Sequence, residues 1–182
     1  MRRRLILDMQ FINATIDTQE LPRLEEVPLK PVQHNYLRVL RMEWMITSLV
    51  LILIAAILIY FIPSLHKSFN WTILAGAALL IIGFHRFSIE KNFPFLAYAV
   101  REKDILSQKG WITRTLKACP HNRIQNCTVQ SGPLERKFGL ASLTIFTAGS
   151  NNADMKIPGL LLAEAEQLRH FILEKIHAED HE

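Results

Sequence analysis

MITSLVLILIAAILIYFI, at residues 45–62, is the stretch that decides the architecture of this chain. It contains no charged residue, and as a helix it would be about 27 Å long, close to the thickness of a bilayer's hydrocarbon core. A soluble domain of this size rarely contains so long an uncharged helix. We therefore predict that residues 45–62 span a membrane.

A second apolar run, WTILAGAALLIIGF at residues 71–84, follows after a short polar loop. It is short for a span, but Phe69 and Phe87 extend it at its two ends. No Asp, Glu, Lys, Arg or His lies within either run, which argues against an ion or substrate pathway and favours an anchor. The predicted arrangement is a two-helix transmembrane hairpin within residues 35–90, with spans at about 45–62 and 69–87.

Basic residues are concentrated on the outer flanks of the two runs, towards the chain ends. The cytoplasmic flanks of membrane spans are enriched in lysine and arginine, so the pattern predicts a multi-pass protein with both termini in the cytoplasm. The loop between the runs offers His66 and Lys67. The flanking basic residues are Lys30, Arg38, Arg41, Arg86, Lys91, Arg101 and Lys103.

The remaining chain divides into a short N-terminal segment and one small C-terminal domain. Residues 1–34 contain several prolines and no sustained hydrophobic period, so we predict a mostly extended or loose cytoplasmic segment. A short helix containing Tyr36 and Val39 is expected to continue into the first span. Residues 91–176 suffice for a single domain, and residues 177–182 form an acidic tail.

Short apolar and β-branched segments in the C-terminal domain predict strands separated by turns. The predicted strands are 95–101, 105–109, 113–118, 127–130, 143–147 and 155–157, with turns at 102–104 and 149–152. After Pro158 and Gly159 the pattern becomes helical. One face of this predicted helix carries Ala165, Leu168, Ile172 and Ile176. Strands closed by one C-terminal helix indicate an α+β or capped-barrel fold rather than alternating strands and helices.

The sequence GPLERKFG at residues 132–139 predicts a single helical turn at a corner of the barrel. Its Gly-Pro pair suits the start of a helix, and its last glycine suits an exit with positive φ. The spacing of Leu134 and Phe138 predicts that both pack inward while the charged residues 135–137 face solvent. A ligand contact is the alternative, although structural corners explain most such loops.

The C-terminal domain carries a characteristic series of motifs. In order they are Arg123-Ile124-Gln125, Gly132 to Leu140, Leu143-Thr144-Ile145, Thr147-Ala148-Gly149, Ile157-Pro158-Gly159-Leu160 and the helix 163–176. This series resembles the YdbS-like family of bacterial pleckstrin-homology (PH) type membrane proteins, over roughly residues 35–176. The resemblance implies two transmembrane helices and a PH-like antiparallel β-sandwich or partial barrel capped by the C-terminal helix. It also implies the bacterial inner membrane as the location, without a defined activity.

Basic residues outnumber acidic ones between Arg101 and Lys137, whereas the final helix and tail are acidic. A domain tethered below an anionic leaflet could rest its basic side on lipid headgroups, each Lys or Arg contributing on the order of 1 kcal/mol. The alternative is an ordinary solvated basic surface. The candidate residues for contact with anionic lipid or a partner are Arg114, Lys117, Arg123, Arg136 and Lys137.

The sequence gives little support for a catalytic site or a metal site. Cys119, His121 and Cys127 carry metal-ligating atoms, but their spacing matches no compact ligand pair, so we expect two free buried thiols and no metal or cofactor. The sequence contains no Walker loop, nucleophile elbow or dinucleotide fingerprint, so we expect a non-enzymatic protein. No aromatic-rich RNA-binding motif accompanies the net charge of +4, so we expect no nucleic-acid partner.

These observations predict a non-enzymatic inner-membrane protein whose cytoplasmic PH-like domain serves protein–protein interaction or scaffolding in a membrane complex. The expected partners are the bilayer together with another protein, a second copy of the chain or a larger PH-domain membrane relative. The alternative is an anionic-lipid-sensing or envelope-stress module that docks its basic face on the membrane. Salt and charge reversal at Lys117 and Arg123 should weaken lipid docking more than partner binding through apolar edges.

Overall fold

The computed structural model describes residues 27–61, 68–148 and 154–179. The predicted turn at 149–152, most of the N-terminal segment and the end of the acidic tail lie outside these residues. The helices are α1 (Asn35–Phe61), α2 (Ser68–Asn92), α3 (Pro133–Lys137) and α4 (Leu162–Glu179). The strands are β1 (Lys30–Pro31), β2 (Ala97–Val100), β3 (Asp104–Lys109), β4 (Thr115–Pro120), β5 (Ile124–Gln130), β6 (Leu140–Thr147) and β7 (Met155–Leu161).

Helix α1 is continuous through the predicted short helix and the first apolar run. Within the described residues it is the one helix that is long and apolar enough to cross a membrane. Its apolar side chains, including Leu49 and Leu53, are exposed on the isolated chain, which suits a helix surrounded by lipid. The first predicted span is therefore supported by length and composition, whereas the second span, and with it the transmembrane hairpin, stays a prediction.

Helix α2 packs against α1 in the antiparallel direction. The Trp44 indole N–H donates a hydrogen bond to the Ile82 carbonyl over 3.0 Å, and Arg41 Nε donates to the Glu90 carboxylate over 2.9 Å. These contacts join the first turns of α1 to the last turns of α2. The N-terminal end of α1 and the C-terminal end of α2 therefore lie together, next to the C-terminal domain.

The C-terminal domain consists of two antiparallel sheets and the helix α4. One sheet has the strand order β1-β2-β3-β4 and the other the order β5-β6-β7. Buried apolar side chains from both sheets and from α4 form one core, for example Ile105, Leu143, Ile157 and Ile172. Burial of such side chains is the main favourable contribution to folding. The predicted plan of antiparallel strands closed by a C-terminal helix is confirmed.

Strand β7 continues through Pro158 and Gly159, where the sequence pattern predicted that the strand would end. Gly159 has φ +66°, and the register between β6 and β7 shifts between Ala141 and Leu143. Within the described residues β7 pairs with β6 alone, and an edge strand tolerates a proline. The irregularity therefore accommodates both residues, and the strand extends to Leu161.

Strand β4 begins later than the predicted Thr113 because the preceding turn is tight. Gly110 has φ +94°, and a Cβ atom there would lie 2.1 Å from the Thr113 carbonyl oxygen. Residues 110–113 are consequently needed to reverse the chain. Strand β4 then runs to Pro120, two residues beyond the predicted end.

The corner helix α3 forms where GPLERKFG predicted it, and Gly139 has the expected positive φ of +66°. The prediction that Glu135 faces solvent is wrong. Its carboxylate accepts hydrogen bonds from the Gly132 N–H over 2.9 Å and from Ser142 Oγ over 2.7 Å. Because Gly132 has no side chain to cap the helix, Glu135 satisfies the free backbone N–H at the helix start.

Candidate functional site

The two long helices enter the domain through a stem, which we define as residues 35–44 of α1 and 82–92 of α2. The Glu90 carboxylate accepts hydrogen bonds from both Arg41 and Arg86. Burial acts to raise the pKa of Glu90, but the hydrogen bonds from the two guanidinium groups outweigh it and hold the pKa below its usual range. The Arg86 guanidinium also lies 5.6 Å from the Trp44 ring centroid. The stem thus carries charged and aromatic side chains between the apolar parts of the two helices and the domain.

The chain immediately before α1 is fixed to the domain by backbone pairing. In β1, Lys30 pairs with Tyr98 of β2, and the Gln33 N–H donates to the Gly159 carbonyl over 2.9 Å. Val32 is buried in the domain core. The expectation of a mostly loose N-terminal segment missed this pairing. In the sequence, apolar Val27 and Leu29 alternate with Pro28 and Lys30, and this alternation is the signal that would have indicated the pairing.

Tyr36, in the first turn of α1, contacts strand β7 at Gly159. A Cβ atom on Gly159 would lie 2.6 Å from the Tyr36 ring, so the ring packs directly on the glycine backbone. Burial, with smaller contributions from Glu43 and Glu135, raises the pKa of Tyr36 to about 12. Gly159 therefore serves two purposes, since it adopts a positive φ and leaves room for the stem.

A polar cluster ties β1 and β2 to the start of α4. The Glu164 carboxylate forms an ion pair with Lys30 and accepts a hydrogen bond from the Tyr98 hydroxyl over 2.6 Å. Burial acts to raise the pKa of Glu164, but hydrogen bonds from Lys30 and Tyr98 outweigh it and lower the pKa. Burial and the hydrogen bond to Glu164 raise the pKa of Tyr98. These contacts couple the N-terminal chain to the C-terminal helix.

Three of the five predicted contact residues lie in strand β4 or close to one of its two ends. Arg114 precedes the strand, and its guanidinium lies 4.8 Å from the Phe95 ring centroid, beside the exit of α2. Lys117 is exposed in the middle of β4, and its ammonium donates to the Asp154 carbonyl over 2.9 Å. Arg123 is exposed in the turn after β4. The six residues of β4 span about 20 Å, with Arg114 before the end that lies beside Phe95 and Arg123 beyond the other end.

The other two predicted contact residues, Arg136 and Lys137, are exposed on α3. Helix α3 packs against α1 and β6 rather than against β4. The structure therefore divides the predicted basic surface into two parts. Arg136, Lys137 and Arg114 lie on elements that contact the stem, whereas Arg123 lies at the opposite end of the domain.

The hairpin between β3 and β4 reaches the stem from the side of α2, and sequence reasoning missed this contact. Trp111 meets Phe87 edge-to-face with ring centroids 5.8 Å apart. The turn and α2 together line a shallow depression of about 310 Å³, to which His85 and Ser88 contribute. The adjacent Ile112 is 71% exposed. The sequence signal was the pair Trp111-Ile112 in a turn between two basic residues.

Strand β5 forms an edge of the three-stranded sheet, with α4 beside it. Among the described residues β5 pairs with β6 alone. Helix α4 packs along β5, where the Cys127 thiol lies 3.8 Å from the Arg169 carbonyl. The hydroxyl of Thr128 on the same strand is buried, and the described residues provide it with no hydrogen-bond partner. A strand edge beside a helix is a place where an extended peptide can add to a sheet.

Cys119, His121 and Cys127 are all buried, and both cysteines are free, as expected. Burial raises the pKa of both thiols, so they are protonated at neutral pH, whereas metals bind the thiolate. His121 Nε2 lies 3.0 Å from the Arg101 carbonyl, and its ring packs edge-to-face on Phe171 of α4. In the part of the chain that is described, no three His, Cys, Asp or Glu residues are grouped as a metal site requires.

The comparison with known proteins agrees with this architecture. The family model for the bacterial PH domain matches residues 37–176. The chain belongs to the bacterial PH-domain family. It is 30% identical over 158 residues to UPF0699 transmembrane protein YdbS of Bacillus subtilis (strain 168), covering 82% of this chain and 93% of that protein. The resemblance to YdbS-like proteins is therefore confirmed, and no solved structure matches the chain.

Family membership and the apolar helix α1 together define the general nature of the molecule. It is a membrane protein with a bacterial PH domain, formed by the two antiparallel sheets and α4. The family match begins at residue 37 and so includes both long helices. The stem contacts Arg41–Glu90 and Trp44–Ile82 therefore lie within the matched residues.

Proposed function

We propose that this protein is a non-enzymatic adaptor of the bacterial inner membrane, which holds its PH domain at the cytoplasmic surface to bind a partner protein. The single observation that carries the proposal is that β5 is an edge strand beside α4, paired with β6 alone among the described residues. Backbone N–H and C=O groups on such an edge can pair with an extended segment, and the neighbouring helix can receive its side chains. The partner is another protein, a second copy of this chain or a larger PH-domain relative.

The membrane part of the proposal is a two-span hairpin with both termini in the cytoplasm. The antiparallel contact of α1 and α2 supports it, since the start of α1 and the end of α2 lie together at the domain. Basic residues of the stem such as Arg41 and Arg86 would then lie on the cytoplasmic side of the membrane, where lysine and arginine are enriched. The domain would then lie against the cytoplasmic leaflet.

The β5 edge can be tested by site-specific photo-crosslinking in cells. A photoreactive residue at Gln125 or Gln130, both exposed on β5, should give a defined adduct with the partner, whereas the same residue at exposed Glu102 should not. The adduct should persist in a Lys117→Glu/Arg123→Glu variant, because backbone pairing does not depend on these charges. Adducts of equal yield from Glu102, or none from either β5 position, would contradict the proposal.

Anionic-lipid docking is a second candidate, favoured by the position of three basic residues. Arg114, Arg136 and Lys137 lie on elements that contact the stem. Each basic group at an anionic surface contributes about 1 kcal/mol, and the contribution decreases with salt. The distal Arg123 provides a matched control in the same domain.

Hydrogen exchange in lipid nanodiscs tests this candidate. Replacing zwitterionic by anionic lipid should slow exchange in α3, and Arg136→Glu/Lys137→Glu should remove that effect whereas Arg123→Glu should not. Exchange in α3 that is independent of lipid charge would exclude headgroup docking through this helix. The photo-crosslinking result is independent of this outcome.

A further inference from the structure

The turn at the tip of the β3–β4 hairpin exposes apolar surface beside the membrane helices. It comprises residues 110–113, with the sequence Gly-Trp-Ile-Thr, and it is flanked by exposed Lys109 and Arg114. Ile112 is 71% exposed and Thr113 is exposed as well, whereas Gly110 is half-buried where the turn packs against α2. Trp111 is half-buried because its ring contacts Phe87.

The depth of this turn along the helices follows from its contacts on α2. Phe87 and His85, which the turn approaches, directly follow the apolar run that ends at Phe84. One helical turn away, Trp44 of α1 bonds to Ile82 and lies under the Arg86 guanidinium. Tryptophan paired with arginine is typical of the boundary between acyl chains and headgroups. The turn therefore lies at the same level as the boundary that the helices themselves indicate.

We infer that the β3–β4 turn is a third membrane contact, which inserts into the cytoplasmic interface of the bilayer that holds α1. Trp111 lies at the headgroup level, as interfacial tryptophans do, and Ile112 reaches the boundary of the acyl chains. Lys109 and Arg114 remain among the anionic headgroups on either side. The occupant of this surface is lipid because the surface is continuous with the exposed apolar face of α2, for example Phe84 and Phe87.

This contact would fix the orientation of the PH domain. Strand β3 has six residues and spans about 20 Å, and its other end forms the β2–β3 turn, which contains Lys103. With the hairpin tip in the interface, the β2–β3 turn is held away from the membrane. The domain is then attached at the stem and at the hairpin, so it cannot rotate freely about the helices.

The experiment uses the full chain in lipid nanodiscs with a fluorophore on one introduced cysteine at a time. Ile112→Cys reports on the turn, Thr113→Cys provides a second exposed site, and Lys103→Cys is the matched control at the far end of β3. Leu80→Cys, on the exposed apolar face of α2, reports on the span. The native Cys119 and Cys127 are buried, and labelling of the unsubstituted chain measures their background. Nitroxide lipids labelled near the headgroup or deep in the acyl chain serve as quenchers.

Shallow nitroxide lipids should quench the fluorophore at Ile112 and Thr113, and neither lipid should quench it at Lys103. Absence of quenching at both turn positions would overturn the inference, and so would equal quenching at Lys103. Failure of Ile112→Cys to react with the fluorophore, together with no quenching by either lipid at Thr113, would overturn it in favour of a protein contact. The inference rests on the proposed two-span hairpin, and the deep nitroxide lipid at Leu80 tests that hairpin separately. Without deep quenching at Leu80 the hairpin proposal fails. With deep quenching at Leu80, a negative result at Ile112 concerns the turn alone.

Discussion

Gly159 and Gly139 share the same positive φ of +66° but differ in their surroundings, so together they test the joint between stem and domain. A Cβ at Gly139 would meet nothing within 4 Å, whereas a Cβ at Gly159 would lie 2.6 Å from the Tyr36 ring. Gly139→Ala should therefore cost roughly 1 kcal/mol for the left-handed conformation alone. Gly159→Ala should cost about 3 kcal/mol, because overpacking against Tyr36 adds to the same conformational cost. Thermal unfolding of the two variants in detergent measures the difference, and equal destabilisation would contradict the contact with Tyr36.

At the scale of elements, the corner helix α3 depends on Glu135 rather than on its glycine N-cap. The Glu135 carboxylate binds both the Gly132 N–H and Ser142 Oγ, so Glu135→Ala leaves a helix-start donor and a buried hydroxyl without their acceptor. We expect a loss of about 1–2 kcal/mol in the free energy of unfolding and faster hydrogen exchange in residues 132–138. Exposed Lys137→Ala, in the same helix, should change neither quantity appreciably. Unchanged exchange in Glu135→Ala would show that the cap is unimportant.

Glu164 links β1 and β2 to α4, and its protonation should affect this attachment. Because its pKa is lowered in the folded state, the stabilisation is present above the unfolded value of about 4.3 and is lost as the pH falls through the lower folded pKa. At neutral pH, Glu164→Gln should lower stability by about 1 kcal/mol, a modest value because Lys30 is largely exposed. The difference from the native chain should shrink as the pH approaches 3. A difference that stays constant between pH 7 and pH 3 would contradict this role of the carboxylate.

The elements that the sequence predicted well are those whose signal is local. The length of the apolar run at 45–62 and the Gly-Pro start of α3 depend on neighbours in the chain, and both predictions agree with the structure. Strand β7 was predicted to end at Ile157 because Pro158 and Gly159 usually interrupt strands. Its continuation depends on an irregularity against β6 and on the edge position of β7, which are properties of the assembled sheet. The sequence alone contains no local signal for either.

For the candidate surfaces, the sequence identified which residues are charged or aromatic, but not where the fold places them. Basic residues such as Arg114 and Arg123 were identified from charge, but the length of β4 decides which of them lies near the stem. The contact between Phe87 and Trp111 joins α2 to a turn 24 residues later and depends on how the sheet twists over the helix end. The length of the first apolar run therefore indicated a membrane span, whereas nothing local in the sequence indicated that the β3–β4 turn lies against α2.

For the whole molecule, the decisive property is whether both long helices cross the membrane. Cysteines at Lys67, which lies between α1 and α2 in the sequence, and at Glu102, exposed in the β2–β3 turn, address this directly in intact cells. With both spans in place, a membrane-impermeant maleimide admitted to the periplasm should label Lys67→Cys. Glu102→Cys should react only after the inner membrane is permeabilised, because basic flanks retain the domain in the cytoplasm.

Labelling at the two positions together distinguishes the possible membrane topologies of the chain, in which α1 is long enough to span and α2 either spans or does not. Protection of both cysteines until permeabilisation would place the loop in the cytoplasm, and α2 would then lie along the surface or within the interface. Labelling of Glu102→Cys from the periplasm, with Lys67→Cys protected, would invert the orientation. In that case the basic stem, Arg114 and the β3–β4 turn would face the periplasmic leaflet, and the partner would have to be sought there. Periplasmic labelling of Lys67→Cys alone is compatible only with two spans, since the stem contacts Arg41–Glu90 and Trp44–Ile82 keep both helix ends beside the domain.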